Sequence, residues 1–362
     1  MKTLELDFEQ YSKNEWLDLI AKSLKKGTIK DFIWSIDEEV NGEPFAHSDD
    51  LSKNYTPVKN KVNNNKWLSG IDYSLVSNES INECIKLHSA YGLQSIILQV
   101  TNSDINLNSY FSGINILEYD VNFNTSYGVD LIFFLEHLKD YLEASNLDYK
   151  KLNITIRLPI NRPQLILELF KYSKVNFPHL KFYFKTEREY SYHPVKYLSE
   201  TLNALTDFIK KSEINKEILE WLLLKLKIHF FMTDNFLSNI ATLRAFKILW
   251  SNYLNVFKIK YFPPDIMLGI NHDSFTDDEN DDLIVTTVLC MSGAISGIDS
   301  INLAPKEHNI SNPKNTMRLM LNIQNIMKLE SNMEIVQDAL AGSYSIETAT
   351  NNLANAAWDK LQ

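Results

Sequence analysis

From Trp67 onward the chain repeats one unit, a short apolar run of strand character followed by a helical stretch. The runs are WLSGIDYSLV, QSIILQV, INILEYDV, LNITIRL, LKFYFKT, KIHFFMT, DIMLGIN and IDSINLA. Between most of them lie segments with helical periodicity, among them INECIKLHSAYG, VDLIFFLEHLKDYLEAS, RPQLILELFKYSK, PVKYLSETLNALTDFIKK, NIATLRAFKILWSNYL and DDLIVTTVLCMSGAIS, and NTMRLMLNIQNIMKLE follows the last. Strands that alternate with helices are joined by crossovers, so they run parallel with the helices outside. Eight strands in about 240 residues fit an α/β fold of the closed (β/α)8, or TIM, barrel type better than an open doubly wound sheet. The connection after INILEYDV is irregular and breaks the rhythm at the third unit.

The first 65 residues differ. Trp16, Leu17, Leu19, Ile20 and Leu24 form an apolar stripe at helical spacing, ended by Lys25-Lys26-Gly27. Phe32, Trp34 and Ile36 alternate as a short strand, and the polar stretch from His47 to Lys66 reads as a linker. Residues 1–65 are therefore expected to form an N-terminal helical and extended extension, and residues 66–362 the barrel. With 44% hydrophobic and 23% charged residues the chain has the balance of a compact globule. No apolar run reaches the ~20 residues of a membrane span, and MKTLELDFEQ lacks a signal peptide's apolar centre. Cys84 and Cys290 lie far apart and suggest neither a disulfide framework nor a zinc site, which points to a cytoplasmic protein. A net charge of −10 with no basic stretch beyond a lysine pair argues against nucleic acid as a partner.

A barrel carries its chemistry at the C-terminal ends of its strands. Those positions hold Asp72, Thr101, Asp120, Arg157, Lys185 with Glu187, Thr233 with Asp234, Asn271 with His272, and Asn302. Two carboxylates from different strands could pair for acid–base work. No spacing typical of a mechanism joins them, and polar residues at strand ends more commonly satisfy loop backbone.

The densest acidic run, His272 to Leu283, has no glycine and so lacks the turn a calcium loop requires; carboxylates there suit a helix N-terminus. The eight histidines form no HxH, HExxH or Cys/His cluster, and His229 inside KIHFFM reads as a strand-lining residue. Gly293 and Gly297 fall at a helix–strand junction, where glycine serves as a C-cap. No catalytic, cofactor-binding or metal-binding residue emerges.

The last third of the chain resembles the barrel of the methylmalonyl-CoA mutase family. The likeness is carried by NFLSNIATLRAFKILW with its LRA at Leu243–Ala245 and LW at Leu249–Trp250, the DDLIVTTVLCMSGAISGIDSINLAP block, NIQNIMKLE, and the closing GSYSIE and AAW. Catalytic members of that family continue from this closing helix into a cobalamin-binding domain marked by Asp-x-His-x-x-Gly. The present sequence ends at Gln362 and contains no Asp-x-His. The resemblance therefore implies a barrel with no cobalamin-binding domain and no cofactor bound by this chain. Three further departures agree: PVKNKVNNNKWLSG replaces a long arginine- and aromatic-rich segment, Arg188 in Lys185–Glu189 stands where a substrate-contacting histidine is expected, and Ile301–Pro305 replaces a His-Thr-Asn-Ser stretch.

Some family members are heterodimers of a catalytic large subunit and a degenerate small subunit, and SINLAP is similar to the small-subunit version. The resemblance thus implies a non-catalytic small subunit of an adenosylcobalamin-dependent mutase that interconverts (R)-methylmalonyl-CoA and succinyl-CoA in propionate metabolism. Its expected partner is the large subunit, which would carry the adenosylcobalamin, with Trp16, Leu17, Ile20 and Leu24 as the candidate contact. The alternative is a catalytic acyl-CoA mutase barrel whose cobalamin domain is a separate polypeptide, with Asp72, Arg157, Arg188 and His272 as substrate contacts.

Overall fold

The structure, a computed structural model, describes residues 11–25, 27–43, 46–51, 56–60, 65–186, 191–276, 278–306 and 313–361. Helix α1 (Lys13–Ser23) opens it with a capping box in which Ser12 and Glu15 satisfy each other's backbone N–H groups. A two-stranded antiparallel hairpin follows, β1 (Trp34–Ser35) and β2 (Asn41–Gly42). The alternating Phe32, Trp34 and Ile36 are not one strand. Phe32 ends a 3₁₀ turn and is exposed, because a single unpaired strand cannot satisfy its backbone and the chain turns back after Ser35 instead.

Eight parallel strands then close on themselves: β3 (Leu68–Asp72), β4 (Ser95–Val100), β5 (Asp120–Thr125), β6 (Asn153–Arg157), β7 (Lys181–Lys185), β8 (Leu226–Met232), β9 (Asp265–Ile270) and β10 (Ser300–Leu303). The order is β10-β3-β4-β5-β6-β7-β8-β9, the closed (β/α)8 barrel that the rhythm implies. Around it lie α2 (Asn78–Ser89), α3 (Leu107–Phe111), α4 (Leu131–Ala144), α5 (Leu165–Val175), α6 (Pro194–Ser212), α7 (Lys216–Leu224), α8 (Phe236–Val256), α9 (Glu279–Ser296), α10 (Pro313–Leu329) and α11 (Tyr344–Asp359). Among the described residues no helix is long and apolar enough to cross a membrane.

The third unit departs from the sequence reading. INILEYDV is not the strand: Ile116–Glu118 form a 3₁₀ turn, and the ladder begins at Asp120 and runs to Thr125. Asn122 and Asn124 break the apolar pattern because they face the barrel interior, so the true strand reads as polar. A second difference is α7, an extra helix that fills the connection between α6 and β8.

Outward-facing strand residues such as Ile96, Leu98, Phe123, Ile156, Phe182, Phe230 and Leu268 join the helices in one continuous core. Asp278 caps α9 through the Asn280 N–H, and Asp282 accepts from Thr276, so the acidic run serves the helix start. Gly297 ends α9 at φ 69°, the left-handed conformation a C-cap requires.

Candidate functional site

In a barrel of this stagger each strand is offset by one residue from its neighbour, so inward side chains from alternate strands share a level, four to a layer. The observed registers assign the layers. One holds Gly70, Asn122, Tyr183 and Met267; the next towards the mouth holds Ile97, Arg157, His229 and Asn302; the one below holds Ser95, Thr155, Lys227 and Ser300. Ile97, Tyr183 and Met267 pack on one another across the axis, each at most 2% exposed and separate from the outer core.

Tyr183 is fixed from above. Its hydroxyl donates to Asn124 Oδ1 at 2.7 Å, Asn124 donates to Gln99 at 2.7 Å, and Gln99 donates to Ser126 Oγ at 3.1 Å. Burial pushes the Tyr183 hydroxyl well above its ordinary pKa, so it remains a neutral donor. At the rim the Arg157 guanidinium stacks on Tyr127, 4.5 Å from the ring centroid, and donates to its hydroxyl at 2.8 Å. Lys185 lies over the Phe231 ring.

The predicted mouth residues divide. Asp72 and Arg157 end their strands and Lys185 ends β7, so these three do share the mouth. Thr101 follows β4, and the Thr233 N–H donates to Asn239 Oδ1 at 3.2 Å while its carbonyl accepts from Asn239 Nδ2 at 2.7 Å, closing a local loop. Asp234 follows Thr233 just before α8. His272 lies in the turn after β9, its Nε2 3.0 Å from the Ala304 carbonyl, and Asn271 donates to Ser191. Glu187 and Arg188 lie outside the described residues. Asn302 is within β10, not past its end, and points into the barrel at 2% exposure. Asp120 is the clear correction. It starts β5 and therefore sits at the opposite end of the barrel, a consequence of the shifted third strand. Among the described residues no group of three His, Cys, Asp or Glu side chains could hold a metal ion.

At that opposite end two ion pairs close the floor. Lys227 Nζ lies 2.8 Å from Asp120 Oδ2 and 3.1 Å from Asn122 Oδ1, and Lys181 Nζ lies 2.6 Å from Asp265 Oδ2. Burial would push the Asp120 carboxyl up, but the Lys227 ammonium and the hydrogen bonds from Lys227 and Asn122 outweigh it and hold it below 3.8. Burial likewise opposes charge on Lys227, and attraction to Asp120 and Asp265 wins, keeping its amine above 10.5. Both partners are thus ionised in the folded state.

The signs fix a pH dependence. The depressed carboxyl contributes stability above 3.8 that is lost as pH falls through its folded value. The elevated amine contributes below 10.5 and is lost as pH rises through its own. Urea unfolding midpoints measured across pH should fall on the acid side, and the Asp120→Asn variant should show a shallower acid limb.

A second buried charge cluster lies outside the barrel. Arg244 on α8 is 1% exposed. It pairs with Asp338 and, at 2.7 Å, with Glu347 of α11, which also accepts from the Gly342 N–H at 2.9 Å. Gly342 has φ 83°, so the turn before α11 needs a residue free to adopt it. Asn60 donates to Asp338 at 3.0 Å and accepts from Lys247, which also donates to the Ser296 carbonyl at 2.6 Å. Thr56 donates to Asn351 of α11. The LRA of the sixth unit and the GSYSIE turn are thus two halves of one ionic clamp, and the family model for methylmalonyl-CoA mutase matches residues 161–362, both halves included.

The chain belongs to the methylmalonyl-CoA mutase family. Similar members include a protein named methylmalonyl-CoA mutase small subunit from Porphyromonas gingivalis, 24% identical over 97% of this chain and 62% of its own length. A methylmalonyl-CoA mutase from Cereibacter sphaeroides is 30% identical over 38% of this chain and 20% of its own, and a small subunit from Streptomyces virginiae is 28% identical over 35% and 21%. The chain therefore spans less than two thirds of the length of these relatives. Sequence reasoning found the clamp's two motifs without their pairing, and it missed Lys227 and Tyr183. A lysine opening an otherwise apolar buried strand, KIHFFM, was the available signal for an inward-facing charge.

Proposed function

We propose that this chain is a non-catalytic small subunit of an adenosylcobalamin-dependent methylmalonyl-CoA mutase, pairing with a catalytic large subunit and stabilising it. One observation carries the reading: the barrel axis is crossed by Ile97, Tyr183 and Met267 above a floor closed by the Lys227–Asp120 and Lys181–Asp265 pairs. An acyl-CoA could not enter along that axis without displacing buried side chains locked by hydrogen bonds. The small-subunit names of relatives from Porphyromonas gingivalis and Streptomyces virginiae support the same assignment.

The residues at the mouth do not fit a corrinoid. A flat macrocycle needs a broad apolar platform, and this rim presents Arg157, Lys185 and Asp72, while His272 Nε2 is directed at the Ala304 carbonyl. On this reading the cofactor, a cobalamin, sits on the large subunit, and the complex interconverts (R)-methylmalonyl-CoA and succinyl-CoA in cytoplasmic propionate metabolism.

The contact surface we assign to α1 is open to test. The helix has no buried residue, Trp16, Leu17, Ile20 and Leu24 are half-buried, and Leu19 is 54% exposed. An obligate interface buries upward of ~2,000 Å² and is apolar. The purified chain, given methylmalonyl-CoA and adenosylcobalamin, should form no succinyl-CoA, and turnover by the chain alone would overturn the assignment.

A further inference from the structure

We propose that the barrel encloses an ordered-water site, walled by Asn302 and Ser300 of β10, Gly70 of β3 and Thr155 of β6, that nothing in the assigned function requires. The starting observation is unpaired polarity. Asn302 Oδ1 and Nδ2, Ser300 Oγ and Thr155 Oγ1 all face the interior, and none has a hydrogen-bond partner among the described residues. The three residues are 2%, 1% and 0% exposed. A buried amide or hydroxyl without a partner is strongly disfavoured, so native interiors pair such groups with chain or with water.

The layers show how small the side chains around these atoms are. Barrel interiors are usually filled by bulky branched side chains. Here the layer of Ser95, Thr155, Lys227 and Ser300 has three small hydroxyl residues, and the Lys227 amine is drawn aside to Asp120 and Asn122. The layer above it contributes a glycine at position 70. A Cβ there would collide with the Asn302 amide oxygen, so the amide reaches into the place that a side chain at position 70 would fill. Asn302 and Ser300 stand on consecutive inward positions of one strand, and Thr155 faces them from β6, on the opposite wall of the barrel at the level of Ser300.

The chemistry identifies the occupant. The four unpaired atoms belong to neutral groups, and the Lys227 ammonium, from the layer of Ser300 and Thr155, is already matched by Asp120. An ion would therefore be uncompensated. The amide presents one donor group and one acceptor, and the hydroxyls serve as either, so the occupant must both donate and accept. A water molecule with two to four such partners satisfies this requirement. Ile97 shares the level of Asn302, Tyr183 and Met267 share that of Gly70, and the ion pairs lie below, so the site is walled from solvent on these sides.

The direct test is a high-resolution crystal structure of the full chain. A water oxygen within hydrogen-bond distance of the Asn302 amide and of Ser300 or Thr155 is expected. A dry interior, with the amide repacked onto main-chain groups, would overturn the proposal. The Asn302→Leu variant gives a second readout in solution. If water is bound, leucine removes its main partner and the urea midpoint falls. A raised midpoint means the amide was buried dry and unpaired, and the proposal fails. Should that variant not fold, the wild-type crystal structure alone decides.

Discussion

Replacing Arg244 with methionine should destabilise the protein by about 3–5 kcal/mol, the cost of stranding buried carboxylates without their counter-ion. Asp338 and Glu347 are 10% and 3% exposed on their side chains, and both face the single guanidinium. Methionine fills much of the same volume, so the loss reports charge more than packing. The consequence reaches further than one helix. Asp338 also holds Asn60, and Glu347 holds the Gly342 turn, so the clamp ties α8, the turn before α11 and the segment at residues 56–60 together. Urea unfolding gives the magnitude. Limited proteolysis gives the location, with cleavage expected first around residues 331–343. Combining Arg244→Met with Asp338→Asn and Glu347→Gln should recover part of the loss, because the stranded charges go with the arginine. A variant as stable as the parent would show that the clamp contributes nothing.

The second large effect is expected at the floor of the barrel. Lys227→Met leaves the Asp120 carboxylate facing Asn122 and Ser95 with its cation gone, again at a cost of about 3–5 kcal/mol. The variant should also titrate differently. With the ammonium removed, burial is no longer outweighed, the carboxyl rises, and the acid limb of the stability profile moves to higher pH. The double variant Lys227→Met with Asp120→Asn should regain most of the stability, since replacing both partners of a buried pair is often close to neutral. Equal losses in the single and double variants would mean that packing, not the ion pair, sets the cost.

The barrel was legible because the strand–helix rhythm survives in seven of its units. The third misled because Asn122 and Asn124 face inward, so the strand that pairs with β4 carries less apolar signal than the Ile114–Tyr119 turn preceding it. Asp120 was consequently placed at the mouth when it belongs to the floor. The clamp motifs were visible as strings; their pairing was not, since Arg244 and Glu347 meet only through the packing of α8 on α11. Inward layers were hidden for a similar reason. A residue's level in a barrel depends on the stagger of all eight strands, and no local pattern encodes it. His229 and Gly297 were read correctly because their surroundings, a buried strand and a helix end, are local.

The central claim, that this barrel is the supporting half of a two-chain mutase, is tested most directly by affinity capture of the chain from its native cells with mass identification of what co-elutes. The account predicts a roughly equimolar larger chain that carries its own mutase barrel and a cobalamin-binding domain. Co-elution of a small cobalamin protein without a barrel would contradict it, and would make this chain the catalytic half.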